Sequence, residues 1–316
     1  MTELQRNRLQ AWLPLIVLAA LVLAVGLYDR AFFSTSNFLS VTSDTMTLFL
    51  MASGVTMVIM MGGIDLSVQA VASMASCILA AYLQRLGILA IPLAVLGGAL
   101  AGFAGGFAST RLRIPSFIAT LAVSGVVVSA GNWFSETRSV NIPAELSASY
   151  LDWAVGDALG VPNEIWVGAV FLIILSAVLQ LTPFGRLVRG IGAQERAVMA
   201  SGINVDRTKI AAYTLSGTMA GIAGVVMGAR LGSGSPTLAN EFLLPAIACI
   251  VVGGTAITGG VGSIWRTFVG ALIVQVVRIG MTFAGVSVFA QQIVFGFILV
   301  AAVAITMDRA KVPVIK

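Results

Sequence analysis

Residues 45–84 read TMTLFLMASGVTMVIMMGGIDLSVQAVASMASCILAAYLQ, a stretch whose single charge is Asp65. A helix that crosses a membrane needs about 20 mostly apolar residues, so this run is long enough for two crossings. The join falls at Gly62-Gly63-Ile64-Asp65-Leu66-Ser67. Two glycines let the backbone leave helical geometry, and Asp65, with Ser67 as a second candidate, stands where it can cap the helix that follows. An acid inside a membrane is costly and often functional. Capping is the cheaper explanation of Asp65, and binding of an ion or substrate stays open beside it.

The rest of the chain has the same character. Of its 316 residues, 58% are hydrophobic and 10% charged, and the mean hydropathy is +1.00. A soluble domain is about one quarter charged, so an ordinary soluble enzyme is excluded. Apolar runs occur at about 11–28, 45–62, 64–84, 87–109, 115–135, 164–182, 207–230, 241–258, 264–284 and 288–307. They do not alternate apolar and polar residues as barrel strands do. The fold class is an all-α polytopic membrane protein of about ten transmembrane helices with glycine-rich breaks, in one domain over residues 1–316. The first run is long, is closed by Asp29-Arg30 and is followed by no convincing small-x-small cleavage site, so it reads as a retained span.

Lysine and arginine give the orientation. With the N-terminus in the cytoplasm, the inner segments hold Arg6, Arg8, Arg111, Arg113, Arg186, Arg189, Arg196, Arg207, Lys209, Arg266, Arg309, Lys311 and Lys316. The outer segments hold only Arg30, Arg85, Arg138 and Arg230, with Arg278 inside a span. The positive-inside rule then puts both termini in the cytoplasm. The net charge of +5 belongs to this orientation against membrane lipid, and nucleic acid is not an expected partner.

The absences narrow the chemistry. There is no histidine, and the two cysteines, Cys77 and Cys249, lie inside apolar runs as small buried hydrophobes. A histidine-based triad, a Cys/His zinc site, a haem with a histidine ligand and a disulfide scaffold are excluded. No Gly-x-x-x-x-Gly-Lys-Ser/Thr phosphate loop occurs, so this chain does not hydrolyse ATP. No catalytic residue, metal site or cofactor is expected on it.

Two loops are long. The outer one, about 136–163, carries Glu136, Glu145, Asp152, Asp157 and Glu164 with Tyr150 and Trp153, and reads equally as an ordered cap or as a solvated connector. The inner one, 183–206, contains a stretch of helix formers from Ala193 to Ala200, with Gly202 suited to a left-handed cap. Ala193, Ala197 and Ala200 share one face, and Glu195 and Arg196 project elsewhere. Such a helix can seat in a groove of a partner or serve as a plain connector, and the pattern alone does not choose.

A second glycine cluster, Gly253-Gly254-Thr255 through Gly259-Gly260-Val261-Gly262-Ser263, lies at another inner junction. Both clusters read as discontinuous helix, tolerated where protein shields the backbone or a water-filled path runs. Gly97, Gly98, Gly102, Gly105 and Gly106 favour close helix packing. Arg278 can line a polar cavity, pair with an acid or reach outward.

Three of these segments carry a resemblance. Gly62-Gly63-Ile64-Asp65-Leu66-Ser67-Val68 resembles GGIDLSVG, and Glu195 through Val205 resembles ExAxxxSGINV. Gly253-Gly254-Thr255 through Gly262-Ser263 resembles GGTSLxGGxGS. In this order they resemble the permease subunits of bacterial ABC importers for sugars of the ribose, xylose and arabinose type, over nearly the whole chain. Gln69, Leu244-Pro245 and Trp265-Arg266 depart from the family's usual residues and bear on the choice of substrate.

The resemblance implies a second permease subunit in a homo- or heterodimer, a cytoplasmic ATP-binding subunit that carries ATP and magnesium, and a periplasmic substrate-binding protein. It implies the bacterial inner membrane. Glu195, Arg196, Ala197, Ala200, Ser201 and Gly202 become the element coupled to the ATPase. Gly62, Gly63, Asp65, Ser67, Gly253, Gly254, Gly259, Gly260 and Gly262 form the helix breaks. A neutral polyol needs hydrogen-bonding and aromatic groups along its path, and Ser124, Asn132, Trp133, Gln275 and Phe283 are the candidates inside spans. The alternatives are an ion-coupled secondary transporter, an intramembrane enzyme, for which paired catalytic groups are wanting, and a passive channel.

Overall fold

Backbone amides and carbonyls have no water to bond in a bilayer, so a chain this apolar satisfies them within helices. A computed structural model describes residues 3–306. Its helices are α1 (Glu3–Tyr28), α2 (Thr35–Met60), α3 (Val68–Leu86), α4 (Ala90–Thr110), α5 (Ser116–Ser135), α6 (Ala144–Tyr150), α7 (Asp152–Val155), α8 (Asn163–Leu181), α9 (Pro183–Ala200), α10 (Val205–Leu231), α11 (Leu243–Val252), α12 (Ile264–Phe283) and α13 (Val288–Thr306). Arg309, Lys311 and Lys316, and with them the C-terminal end of the last apolar run, lie outside the described residues.

Among the described residues, six helical segments are long and apolar enough to cross a membrane, and the stretches Trp12–Tyr28, Asn240–Val252 and Val288–Ala301 are shorter apolar helices. One of the six, Val68–Thr110, holds both α3 and α4, which turn at Gly87 (φ +55°) and pack against each other. The chain is a mostly helical, multi-pass membrane protein.

Two helices form the centre. The apolar stretch of α2 is 94% buried, against 22% for those of α5 and α8. Helix α10 packs against α4, α3 and α2. Glycines make the closest of these contacts. A Cβ on Gly102 of α4 would overlap the carbonyl oxygen of Tyr213, one on Gly217 of α10 that of Gly98, and one on Gly224 that of Ala72. Without side chains between them the backbones approach directly, as small-xxx-small spacing permits. Outer helices turn Leu23, Leu96, Leu121, Ile173 and Phe297 outward, an apolar surface of the kind that lipid or a protein partner covers.

The bundle has two distinct ends. At one end lie α9 and the two glycine breaks; at the other lies the 136–163 segment. That segment is folded into α6, α7 and two small ribbons. In one ribbon β1 (Val140–Asn141) pairs antiparallel with β4 (Ser233–Gly234); in the other β2 (Asp157–Ala158) pairs with β3 (Val161–Pro162).

Several elements differ from the expected bounds, among them α1, which begins at Glu3, eight residues before its apolar run. Helix α2 begins at Thr35, where Ser34 caps it by accepting from the Asn37 amide. Helix α11 stops at Val252, six residues short of the apolar run. In α9 a helix begins at Pro183, whose ring suits the first helical position, and runs to a sharp bend at Gln194 (φ −159°, ψ 82°) before the short piece ending at Ala200.

Candidate functional site

The first break begins where Met61 and Gly62 close α2 with amide bonds to Val58 and Ile59, Gly62 taking φ +78°. The next residues are extended and depend on other elements for their hydrogen bonds. The Ile64 amide donates to Ser116 Oγ at 3.0 Å and the Leu66 amide to Thr120 Oγ1 at 3.1 Å, both from the start of α5. Asp65 is fully buried. Its Oδ1 accepts from the Ser67 amide at 3.0 Å and the Ser67 hydroxyl at 2.7 Å, and its Oδ2 accepts from Ser216 Oγ of α10 at 2.7 Å. A buried carboxylate needs such donors. Here they fold a tight turn ahead of α3 and tie the break to the central helix. The N-cap position of α3 is Ser67, which makes no side-chain capping bond, so Asp65 braces the turn and does not cap the helix.

The second break starts at the end of α11. Gly254 (φ +88°) bonds back to Val251 and the Thr255 amide to Ile250, which closes the helix. Glycines 259 and 260 take φ +90° and +79° in the turn that leads to α12. Thr267 of α12 then meets Thr56 of α2 through their hydroxyls at 2.8 Å.

These breaks meet each other, and α9 meets both. The Gly260 amide donates to the carbonyl of Met60, the last residue of α2, at 2.8 Å. A Cβ on Gly192 of α9 would overlap that same carbonyl oxygen and the Gly260 amide. A Cβ on Gly259 would stand 3.0 Å from the Gly62 nitrogen and 3.1 Å from Gly192 Cα. Three segments far apart in the chain therefore touch backbone to backbone.

Beyond the Gln194 bend the chain turns outward. Glu195 pairs with Lys209 of α10 at 2.6 Å, holding the short helix against the bundle. Arg196, Ala197, Ala200, Ser201 and Gly202 are exposed, as are Met199 and Ile203. Gly202 has φ +77° and ends the helix. A cavity of about 280 Å³ opens beside this joint, lined among others by Gly62, Arg113, Ser116, Lys209 and Tyr213.

The five residues chosen for a substrate path do not converge. Ser124, Asn132 and Trp133 lie on α5, which packs on α3 and α4; Gln275 and Phe283 lie on α12, which packs on α11, α2 and α1. Trp133 is 74% exposed and lines a cavity of about 690 Å³ with Tyr82, Arg85 and Arg138. Phe283 packs beside Phe32, Val41 and Val276. Gln275 is buried, and its Nε2 donates to Asp44 at 2.9 Å. Arg278 both pairs with Glu241 at 4.0 Å and lines a cavity. Among the described residues, no three His, Cys, Asp or Glu side chains gather as a metal would require.

Several residues of the joint were passed over in the sequence: Gly192, Ser116, Thr120, Ser216 and Lys209. Of these only Lys209 was marked in the sequence, as a base of an inner segment and not as the partner of Glu195.

Residues 37–303 match the protein family described as "Branched-chain amino acid transport system / permease component". The chain belongs to this permease family. The permease is 33% identical over 301 residues to the ribose import permease of Escherichia coli, covering 93% of this chain and 94% of the relative. It is 33% identical over 301 residues to the L-arabinose transport system permease of the same organism, with 94% and 90% covered. It is 31% identical over 312 residues to the fructose import permease of Rhizobium meliloti, with 96% and 86% covered. No solved structure matches the permease.

Proposed function

We propose that the permease is the membrane subunit of an ATP-driven importer and moves a sugar or sugar-like polyol delivered by a periplasmic binding protein. Relatives that import ribose, arabinose and fructose, alike along nearly their whole length, support this class of cargo. The observation that carries the mechanism is the contact of Gly192 with Met60 and Gly260. Helix α9 offers Ala197 and Ala200 outward, a small-residue face of the kind that seats in a partner's groove. A push on that face reaches both helix breaks through backbone, with no side chain between to absorb it.

In this reading the chain crosses the bacterial inner membrane ten times, by α1, α2, α3, α4, α5, α8, α10, α11, α12 and α13. The 10 residues of α11 span about 15 Å at about 1.5 Å each, half of a core about 30 Å thick. Gly253 at its end meets the Arg266 backbone near the start of α12, so the shortfall lies at its other end, where the Asn240–Phe242 turn precedes it. The break end, with Arg111, Arg113, Arg186, Arg189 and Arg207, faces the cytoplasm together with both termini. Two permease chains, identical or different, form the path. ATP and magnesium belong to a separate ATPase subunit, and this chain makes and breaks no covalent bond.

The test is uptake into proteoliposomes that hold the permease with its ATPase and binding protein. D-ribose, L-arabinose and D-fructose are offered with and without internal ATP. Uptake of at least one of them that requires ATP is expected. Uptake by the permease alone, driven by a sodium or proton gradient, would overturn the reading.

A further inference from the structure

Charge is scarce in the chain, yet Asp44, Glu164, Arg230, Glu241 and Arg278 gather at the loop end from α2, α8, α10, the turn before α11, and α12. Arg230 is held by Asp44 and, at 3.3 Å, by Glu164. Gln275 donates to the other oxygen of Asp44 at 2.9 Å. Arg278 stands 4.0 Å from Glu241, with its guanidinium 5.2 Å from the centre of the Phe242 ring. Between these groups lies a cavity of about 210 Å³, lined by Asp44, Thr47, Met227, Arg230, Phe242 and Arg278.

Thr47 carries one of three buried hydroxyls among the described residues, with Ser43 and Thr255, that have no hydrogen-bond partner, and it is the only one of the three that lines this cavity. It is 5% exposed. On the same helix, the buried hydroxyls of Thr45, Ser53 and Thr56 bond back to carbonyls one turn earlier, at 2.7–2.8 Å. Thr47 forgoes that bond where a cavity lined by Asp44, Arg230 and Arg278 adjoins it; Ser43, one turn earlier on α2, likewise lacks a partner beside a second cavity. A buried hydroxyl is normally satisfied, and a turn of the Thr47 side chain toward the adjoining cavity would let a guest there satisfy this one.

The charges limit the guest. Each guanidinium already faces a carboxylate, so no cation is spare for an anionic guest such as a phosphate. An amino-acid zwitterion would have to displace an internal ion pair. A polyol fits without either cost: its hydroxyls donate to Asp44, accept from Arg230 and Arg278, and do both with Thr47. The volume is below the roughly 300–1,000 Å³ of sites for drug-sized ligands, the scale of one sugar ring. We propose that this cavity, inside a single permease chain, is a binding site for a neutral monosaccharide-sized polyol. The proposal rests on the importer reading above.

The test uses the full transporter in proteoliposomes, with Cys77→Ala and Cys249→Ala and a Thr47→Cys probe. A small thiosulfonate reagent is added from outside, and whichever of D-ribose, L-arabinose and D-fructose the wild type imports is the protectant. Labelling about tenfold slower in the sugar, and unchanged in L-leucine, is the expected result. Labelling indifferent to the sugar, or slowed by L-leucine, overturns the site. Thr47→Val and Thr47→Ser give a second measurement independent of the probe's folding. Uptake falls about tenfold in the valine variant and recovers in the serine variant; wild-type uptake in Thr47→Val overturns the site. If wild-type transporter imports none of the sugars, the importer reading itself fails and the site falls with it; if it imports one while Thr47 proves indifferent, the site alone is lost.

Discussion

The two ends of the bundle are built from opposite materials. At the break end Gly62, Gly192, Gly259 and Gly260 bring three backbones into contact, and Asp65 has every donor it needs within 3.0 Å. At the loop end long charged side chains meet across a cavity, and Thr47 is left without a partner. The first arrangement transmits force, because nothing flexible lies between its parts. The second can receive a molecule, because its groups can exchange partners. Transport needs both properties, and the permease keeps them at opposite ends.

The sharpest way to break that contrast is Gly192→Leu. The new Cβ would overlap the Met60 carbonyl and the Gly260 amide, and backbone does not step aside as a side chain does. The cost exceeds the about 1–3 kcal/mol usual for overpacking. ATP-driven uptake should fall to background, while Gly125→Ala, whose Cβ meets nothing within 4 Å, stays at the wild-type rate. Wild-type uptake in Gly192→Leu would show that α9 and the breaks are not mechanically joined.

Asp65→Ala comes next. It strips partners from the Ser67 amide and from the hydroxyls of Ser67 and Ser216, at about 1–3 kcal/mol for each buried group left unsatisfied. Thermal unfolding in detergent should rank the wild type above Asp65→Asn and that above Asp65→Ala. An alanine variant as stable as the wild type would show that these buried bonds do not hold the break together.

Ala197→Trp acts outside the fold. The site is exposed, so stability should hold while docking to the ATPase weakens by about 1–3 kcal/mol through overpacking. Uptake and sugar-stimulated ATP hydrolysis should drop together; normal coupling of the two would sink the assignment. The smallest effect is expected for Glu195→Gln. Its pair with Lys209 is partly exposed, and such pairs are worth about 0–1 kcal/mol. A tenfold loss of uptake in this variant would mean that the pair does more than steady the helix.

Much of the architecture was legible from residue patterns. Apolar runs mark membrane helices because lipid leaves the backbone no other solution, and glycine pairs mark the breaks because few other residues take positive φ. What failed was whatever depends on a distant partner. The end of α11 was read too late because Ala256 and Ile257 prolong the apolar run, while the Thr255-to-Ile250 bond that stops the helix leaves no trace in hydropathy. The triple contact at Gly192 joins segments that no periodicity relates. Gln275 was chosen for being polar in an apolar span, but its partner Asp44 lies 231 residues away, and the α5 candidates proved to belong to another side of the bundle.

The seam between α4 and α10 bears on how this protein moves. Dispersion falls off steeply, so a gap of about 0.5–1 Å already forfeits a quarter to a half of the attraction. Where Gly102 and Gly217 bring carbonyls against bare Cα atoms, no side chain can stretch to follow a separation. The pair therefore behaves as a single lever, and a transport stroke has to bend the molecule elsewhere. Spin labels at Phe107 and Ala211 should keep one distance through the ATP cycle. A lever that parts in mid-stroke would be a different machine, one in which glycine serves as lubricant and not as weld.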